Sequence, residues 1–140
     1  MAAFHSRLTQ APVAGDWARR AVDGPDAGCT VVFLGTVRAQ SRGRAVGGLE
    51  YQAYPRMVEA ELERIAAEVG AAHEVLRMAV EHSLGAVGVG QCSVVLAVAS
   101  AHRAAAFAAA AAFMDALKER APIWKKELYQ DGSSWIGRGS

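Results

Sequence analysis

The chain has 140 residues, which suits one domain with one substantial core. Hydrophobic residues make up 52% and charged residues 21%, a globular balance that excludes a disordered chain. The formal net charge of +1 gives no overall field for nucleic acid or a membrane, so any preference for an anionic ligand has to come from local clustering.

The first twenty residues, MAAFHSRLTQAPVAGDWARR, hold no apolar run long enough for the core of a signal peptide. The longest apolar block, Ala104–Met114, is about half the length needed to span a bilayer. A cytoplasmic protein without a membrane or nucleic-acid partner is therefore expected. Val13–Asp23 can form a short helix, followed by the turn-rich GPDAG. Gly28–Arg38 (GCTVVFLGTVR) is β-branched and aromatic and reads as a strand. The next ten residues, AQSRGRAVGG, carry three glycines among polar and basic side chains and read as an exposed, mobile loop. Leu49–Tyr54 follows as a strand whose alternation puts Leu49, Tyr51 and Ala53 on one face.

Pro55 fits the first turn of a helix, where its missing N–H does no harm. Val58, Leu62, Ile65 and Val69 then recur on one helical face, and Gly70 is expected to stop that helix. Glu74–Ser83 reads as a strand and LGAVGVG as a turn-prone connector. Gln91–Ser100 is apolar on both faces, which predicts a central strand or one at an interface. The alanine-rich His102–Arg120 is a long helix that Pro122 ends. Trp124–Tyr129 and Ser134–Ile136 flank Asp131-Gly132, a good hairpin turn. The order αββαββαββ lacks strict strand–helix alternation and predicts an α+β fold, a mostly antiparallel sheet with packed helices.

Cys29 and Cys92 lie in strand-like runs and read as small core residues, not as a disulfide. The four histidines have no ligand spacing, and no metal is expected. There is no G-x-S-x-G, Walker loop or dinucleotide fingerprint, and no cofactor is implied.

What does stand out is a surplus of bases. Between His102 and Lys126 lie Arg103, Lys118, Arg120, Lys125 and Lys126 against only Asp115 and Glu119. Arg38 ends the first of these strands, at the mouth of the loop that carries Arg42 and Arg44. Such a set can build a cationic pocket for phosphate or carboxylate. Lys118 continues the apolar stripe of Phe107 and Met114, so it either snorkels or points into a pocket. Strand alternation sends Lys125 and Lys126 to opposite faces, so one of them faces Lys118. Two lysines and an arginine close together depress a lysine pKa, which makes a usable base or nucleophile. His102-Arg103 opens a helix, a favourable place for an anion.

The runs FLGTVRAQSRGRAVGGLEYQAYPRM and AHRAAAFAAAAAFMDALKERAPIWKKE, with the DG…W ending, resemble the catalytic subunit of molybdopterin synthase. The likeness runs in order from about residue 28 to 136. It implies one domain over 1–140, with 1–27 a variable N-terminal segment and 28–136 the family-like core. It implies an α/β hammerhead-type fold and a homodimer that binds two copies of a small ubiquitin-like sulfur carrier, giving a heterotetramer. The carrier's C-terminal Gly-Gly bears a thiocarboxylate, and its sulfur passes to cyclic pyranopterin monophosphate to make the dithiolene of molybdopterin. The resemblance carries the strand-end arginine of F-x-G-x-V-R onto Arg38, the His-Arg pair onto His102 and Arg103, and the two essential lysines onto Lys118 and Lys125.

On that reading Lys118 is the acid–base group, with transient capture of the carrier's acyl end. Lys125 and Arg38 hold the phosphate or developing charge, and His102 and Arg103 position substrate. One departure is His82-Ser83-Leu84-Gly85, where the family commonly has His-Arg-x-Gly. Two rivals share the pattern. One is a non-enzymatic module gripping a carrier tail or a phosphorylated metabolite. The other is a small regulatory domain that uses Gln91–Ser100 only to dimerise.

Overall fold

The computed structural model describes residues 2–140 as two β-sheets and three helices. The elements in chain order are β1 (Ala3–Thr9), α1 (Asp16–Ala21), β2 (Cys29–Thr36), β3 (Gln40–Ser41), β4 (Arg44–Ala53) and α2 (Pro55–Ala72). There follow β5 (Arg77–Ser83), β6 (Ala86–Gly88), β7 (Cys92–Ser100), α3 (Arg103–Arg120), β8 (Ile123–Tyr129) and β9 (Ser134–Arg138). The first sheet has the order β1-β5-β7-β2, with only the β1–β5 pair parallel. The second has the order β3-β4-β8-β9, with β6 added alongside β4. The architecture is the α+β, mostly antiparallel one that the pattern predicts.

The central strands of the first sheet, β5 and β7, are buried on both faces, and β7 shows how. Its Val94, Leu96 and Val98 join the main core with Val58, Leu62 and Ile65 of α2 and Phe113 and Leu117 of α3. The alternate residues Val95, Ala97 and Ala99 join a smaller cluster with Ala18 and Val22 at α1. Period two thus serves two cores at once. Central β7 is covered by helices, so it cannot serve as the dimerisation strand of the regulatory-domain reading. The alanines Ala106, Ala109 and Ala110 are what α3 turns toward the sheet, and their small size permits close packing.

Several expectations need correction. The segment before Val13 holds a strand, β1, whose Phe4 and Leu8 pack against the core. The alternation of AFHSRLT was the available signal. Residues 39–48 are no open loop: Ser41 pairs with Arg44 across Arg42 (φ 54) and Gly43 (φ 73). Two successive positive φ values make the tight turn that matches strand twist, so a β3–β4 hairpin forms. Helix α2 runs through Gly70 to Ala72, because burial of Val69 outweighs the modest cost of one glycine. The connector LGAVGVG contains β6, paired with β4 at Gly48–Glu50. Phe107 is 61% exposed, so the buried stripe of α3 runs through Phe113, Met114 and Leu117 without it.

Candidate functional site

A cleft of about 440 Å³ opens between the two sheets. Its walls come from five strands and one helix. β2 and its continuation bring Gly35 to Arg38, β4 brings Leu49 and Tyr51, β7 brings Ser93 and Val94, α3 brings Lys118 and β8 brings Lys125. Ser41 of β3 and Ser140 complete it. The β2–β7 register breaks between Gly35 and Thr36, at the point where the chain turns toward Arg38. A Cβ on Gly35 would sit 2.6 Å from Val94 Cγ1, so only glycine lets β2 lie that close to β7 here. At the far wall, β4–β8 pairing sets Lys125 opposite Tyr51 and Glu127 opposite Leu49.

Arg38, Lys118 and Lys125 thus come together in one cleft. Lys126 is absent from this cleft and lies at a separate hollow with Glu50, Gln52, Trp124 and Ile136, which Lys125 also borders. Lys125 is half-buried, and its pKa lies below the usual lysine value. Burial is the largest cause, and the charges of Lys118, Arg38 and Arg42 push the same way while Glu127 opposes them. Repulsion alone, the cause expected from the sequence, is therefore the lesser part.

Other bases of the set have structural employment. Arg120 bonds Glu61 Oε2 at 2.6 Å and Glu68 Oε2 at 2.7 Å, tying α3 to α2 outside the cleft. Arg44 donates to Ser133 Oγ at 2.9 Å and lies over the Tyr129 ring. Arg42 stacks on Trp135 at 3.6 Å from the ring centre and lies 3.7 Å from Glu127.

His102 and Arg103 lie elsewhere. They sit at the first turn of α3 beside a separate hollow with Gly28, Cys29 and Ala104. At 1.5 Å per residue, the fifteen residues from Arg103 to Lys118 put roughly 22 Å between the two groups. One copy of the chain does not bring them to the lysines.

Sequence reasoning missed Glu127. It is 5% exposed, accepts hydrogen bonds from Ser41 Oγ at 2.8 Å and from Tyr129 Oη at 2.9 Å, and faces the same way as Lys125. Burial alone would raise its pKa, but those hydroxyls with Lys125 and Arg42 hold it below the usual carboxylate value. Lys125 and Glu127 two apart on a strand were the available signal. The floor of the cleft, Tyr51 edge-on to buried His82 at 5.1 Å, came from no spacing rule. Cys29 and Cys92 are free, half-buried thiols.

The fold is α+β, and the cleft between its sheets is lined by ammonium and guanidinium side chains, an arrangement that suits an anionic ligand. The family model described as MoaE protein matches residues 8–120, and the chain belongs to that family. It is 40% identical over 133 residues to a protein of Mycobacterium tuberculosis named molybdopterin synthase catalytic subunit 1, covering 95% of this chain and 90% of that one. The crystal structure of molybdopterin synthase from Staphylococcus aureus superposes with a TM-score of 0.87 at 30% identity, covering 94% of this chain and 95% of that one. A complex of subunits 1 and 2 of the molybdopterin-converting factor from Helicobacter pylori matches with a TM-score of 0.74 over 90% of this chain and 86% of that one. At 24% identity, that likeness bears on the fold alone. No helix among the described residues is long and apolar enough to cross a membrane.

Proposed function

We propose that this chain is the catalytic subunit of a molybdopterin synthase. It moves sulfur from the thiocarboxylate of a small ubiquitin-like carrier's Gly-Gly end to cyclic pyranopterin monophosphate. The observation that carries this is the meeting of Arg38, Lys118 and Lys125 in one cleft between the sheets. Both incoming groups are anionic, and a cationic pocket with low-dielectric walls holds such groups more strongly than open water does. The sulfur arrives on a partner, so the chain needs no nucleophilic cysteine of its own. A biosynthetic step of this kind fits the cytoplasm.

Lys118, exposed at the cleft wall, is the acid–base group that reaches the reacting ends. Lys125 and Arg38 hold the phosphate and the negative charge that develops as sulfur leaves the acyl carbon. Burial and the neighbouring cations draw the Lys125 pKa down, so an anion entering the cleft relieves that strain on its charge.

His102 and Arg103 contribute through a second copy. β2 is an edge strand with Val32, Phe33 and Leu34 exposed, and Phe33 and Leu34 also line the cleft. A dimer across this region can bring one copy's helix start to the other copy's lysines.

The test is Lys118→Ala, assayed with thiocarboxylated carrier and pterin precursor by mass measurement of the product. A loss of about 10²–10⁴-fold with an unchanged melting temperature is expected. Turnover at the unaltered rate sinks the assignment.

A further inference from the structure

A second hollow, of about 530 Å³, opens where β4 runs out into α2. Among the described residues, none that lines it carries a charge, so it has nothing to hold the anions that suit the lysine cleft. Two aromatic side chains stand at it with much of their surface open: Tyr54, 67% exposed, and Trp124, 39% exposed. Two side-chain amides, those of Gln10 and Gln52, border the same hollow and are exposed. Gln52 is the cross-strand partner of Trp124 in the β4–β8 register, so its amide and the indole lie side by side on one face.

The frame of this hollow is fixed by backbone contacts. Leu84 donates its N–H to Thr9 O at 2.6 Å, and Tyr51 donates to Gly85 O at 3.1 Å, so three chain segments meet in set positions. A Cβ on Gly85 would overlap the carbonyl oxygen of Gln10, so glycine is what lets Gln10 come this close. Pro55 opens α2 and keeps Tyr54 extended just before it. Tyr51 and Leu84, both buried, line the hollow from beneath. Tyr51 lines the lysine cleft as well, so the two hollows are neighbours.

We propose that this hollow binds a neutral fused heterocycle with a donor and an acceptor adjacent on one edge, the chemistry shared by pterins and purines. A flat ring laid against Tyr54 and Trp124 removes apolar surface from water on both partners. A glutamine amide offers N–H and C=O together and pairs with such an edge through two hydrogen bonds. An anion finds no counter-charge here, and a purely apolar group leaves the amides unpaired. The site holds a ring beside the cleft and takes no part in the chemistry within it, so it stands or falls apart from the functional reading above.

The probes are 6-hydroxymethylpterin and guanosine, each titrated calorimetrically into the intact protein and into Tyr54→Ala, Gln52→Ala and Lys118→Ala. Both Tyr54 and Gln52 are exposed, so neither change threatens the fold. Tyr54→Ala is expected to weaken ring binding about tenfold and Gln52→Ala about fivefold, while Lys118→Ala binds as the parent does. The side-chain amide signals of Gln10 and Gln52 in ¹⁵N spectra should shift on binding. Tighter binding of the pterin names a pterin as the ligand, and tighter binding of guanosine names a purine nucleoside. Absence of binding by either ring overturns the proposal, as does binding that leaves both amide signals unmoved. Undiminished binding by both Tyr54→Ala and Gln52→Ala also overturns it. Loss of binding in Lys118→Ala puts the ring in the lysine cleft instead, with the same consequence. So does a Gly-Gly-ended peptide that moves the two amide signals where neither ring does.

Discussion

At its first turn, α3 presents His102 and Arg103 to solvent beside an open hollow. At its last turns, the same helix sends Lys118 into a cleft walled by two sheets and sends Arg120 to Glu61 and Glu68 on α2. All four residues are basic. What separates them is what stands opposite. The first turn faces no second sheet, whereas the last turns face β8, which carries Lys125 half-buried within the influence of Lys118. A positive charge becomes chemically useful where the surroundings withhold water from its neighbours, and that depends on the wall and not on the residue type.

The comparison is most easily broken on β8. Lys125→Ala should lower sulfur transfer by about 10²–10³-fold, while Lys126→Ala, on the opposite face of the same strand, should stay within about threefold of the parent. Equal losses in initial-rate assays would mean that cleft enclosure does not sort these lysines.

A second probe addresses the two helix ends. Arg103→Ala and Lys118→Ala chains, each nearly inactive alone, are mixed under conditions that exchange subunits. If one copy's helix start serves the other copy's lysines, up to about a quarter of the parental rate returns, since one of the two sites in each mixed dimer is intact. No recovery after verified exchange places both groups in one copy's own site.

A third prediction concerns pH. Glu127 raises the pKa of Lys125, against burial and the neighbouring cations that lower it. Removing that negative charge with Glu127→Gln lowers the Lys125 pKa further. A role for Lys125 as a held cation then requires the alkaline fall of activity to move to lower pH, by about one unit or less. A rate profile that shifts upward contradicts that role.

The smallest effect belongs to Arg120→Ala. Activity should persist, and thermal melting should drop by on the order of 2 °C, because Glu68 is exposed and Arg120 and Glu61 are only partly buried, so solvent and salt screen much of the attraction. A large activity loss with no change in melting would bring Arg120 into the site after all.

Much of the frame was legible in the chain. Val58, Leu62, Ile65 and Val69 repeat at helical spacing, and all four are buried. Leu49, Tyr51 and Ala53 alternate, and all three face inward. Gln91–Ser100 is apolar on both faces and stands between two strands, with helices covering both sides. Less legible were β1, β3 and β6, whose short runs gain stability from a neighbour strand and not from their own pattern. The turn at Arg42-Gly43 was hidden for a related reason: an arginine at φ 54 costs energy that its stacking on Trp135, far along the chain, helps offset.

The sequence by itself determined which residues could carry the chemistry: a surplus of ammonium and guanidinium groups around α3 and β8, with strand alternation already parting Lys125 from Lys126. Periodicity follows from local backbone geometry, so it can be read locally. Tertiary structure alone decided that Arg38, Lys118 and Lys125 share a cleft, that Arg120 and Arg103 do not, and that Glu127, His82 and Ser140 stand beneath or beside it. Those outcomes depend on register between strands and on distances across the core, and enclosure of a charge is a property of everything packed around it.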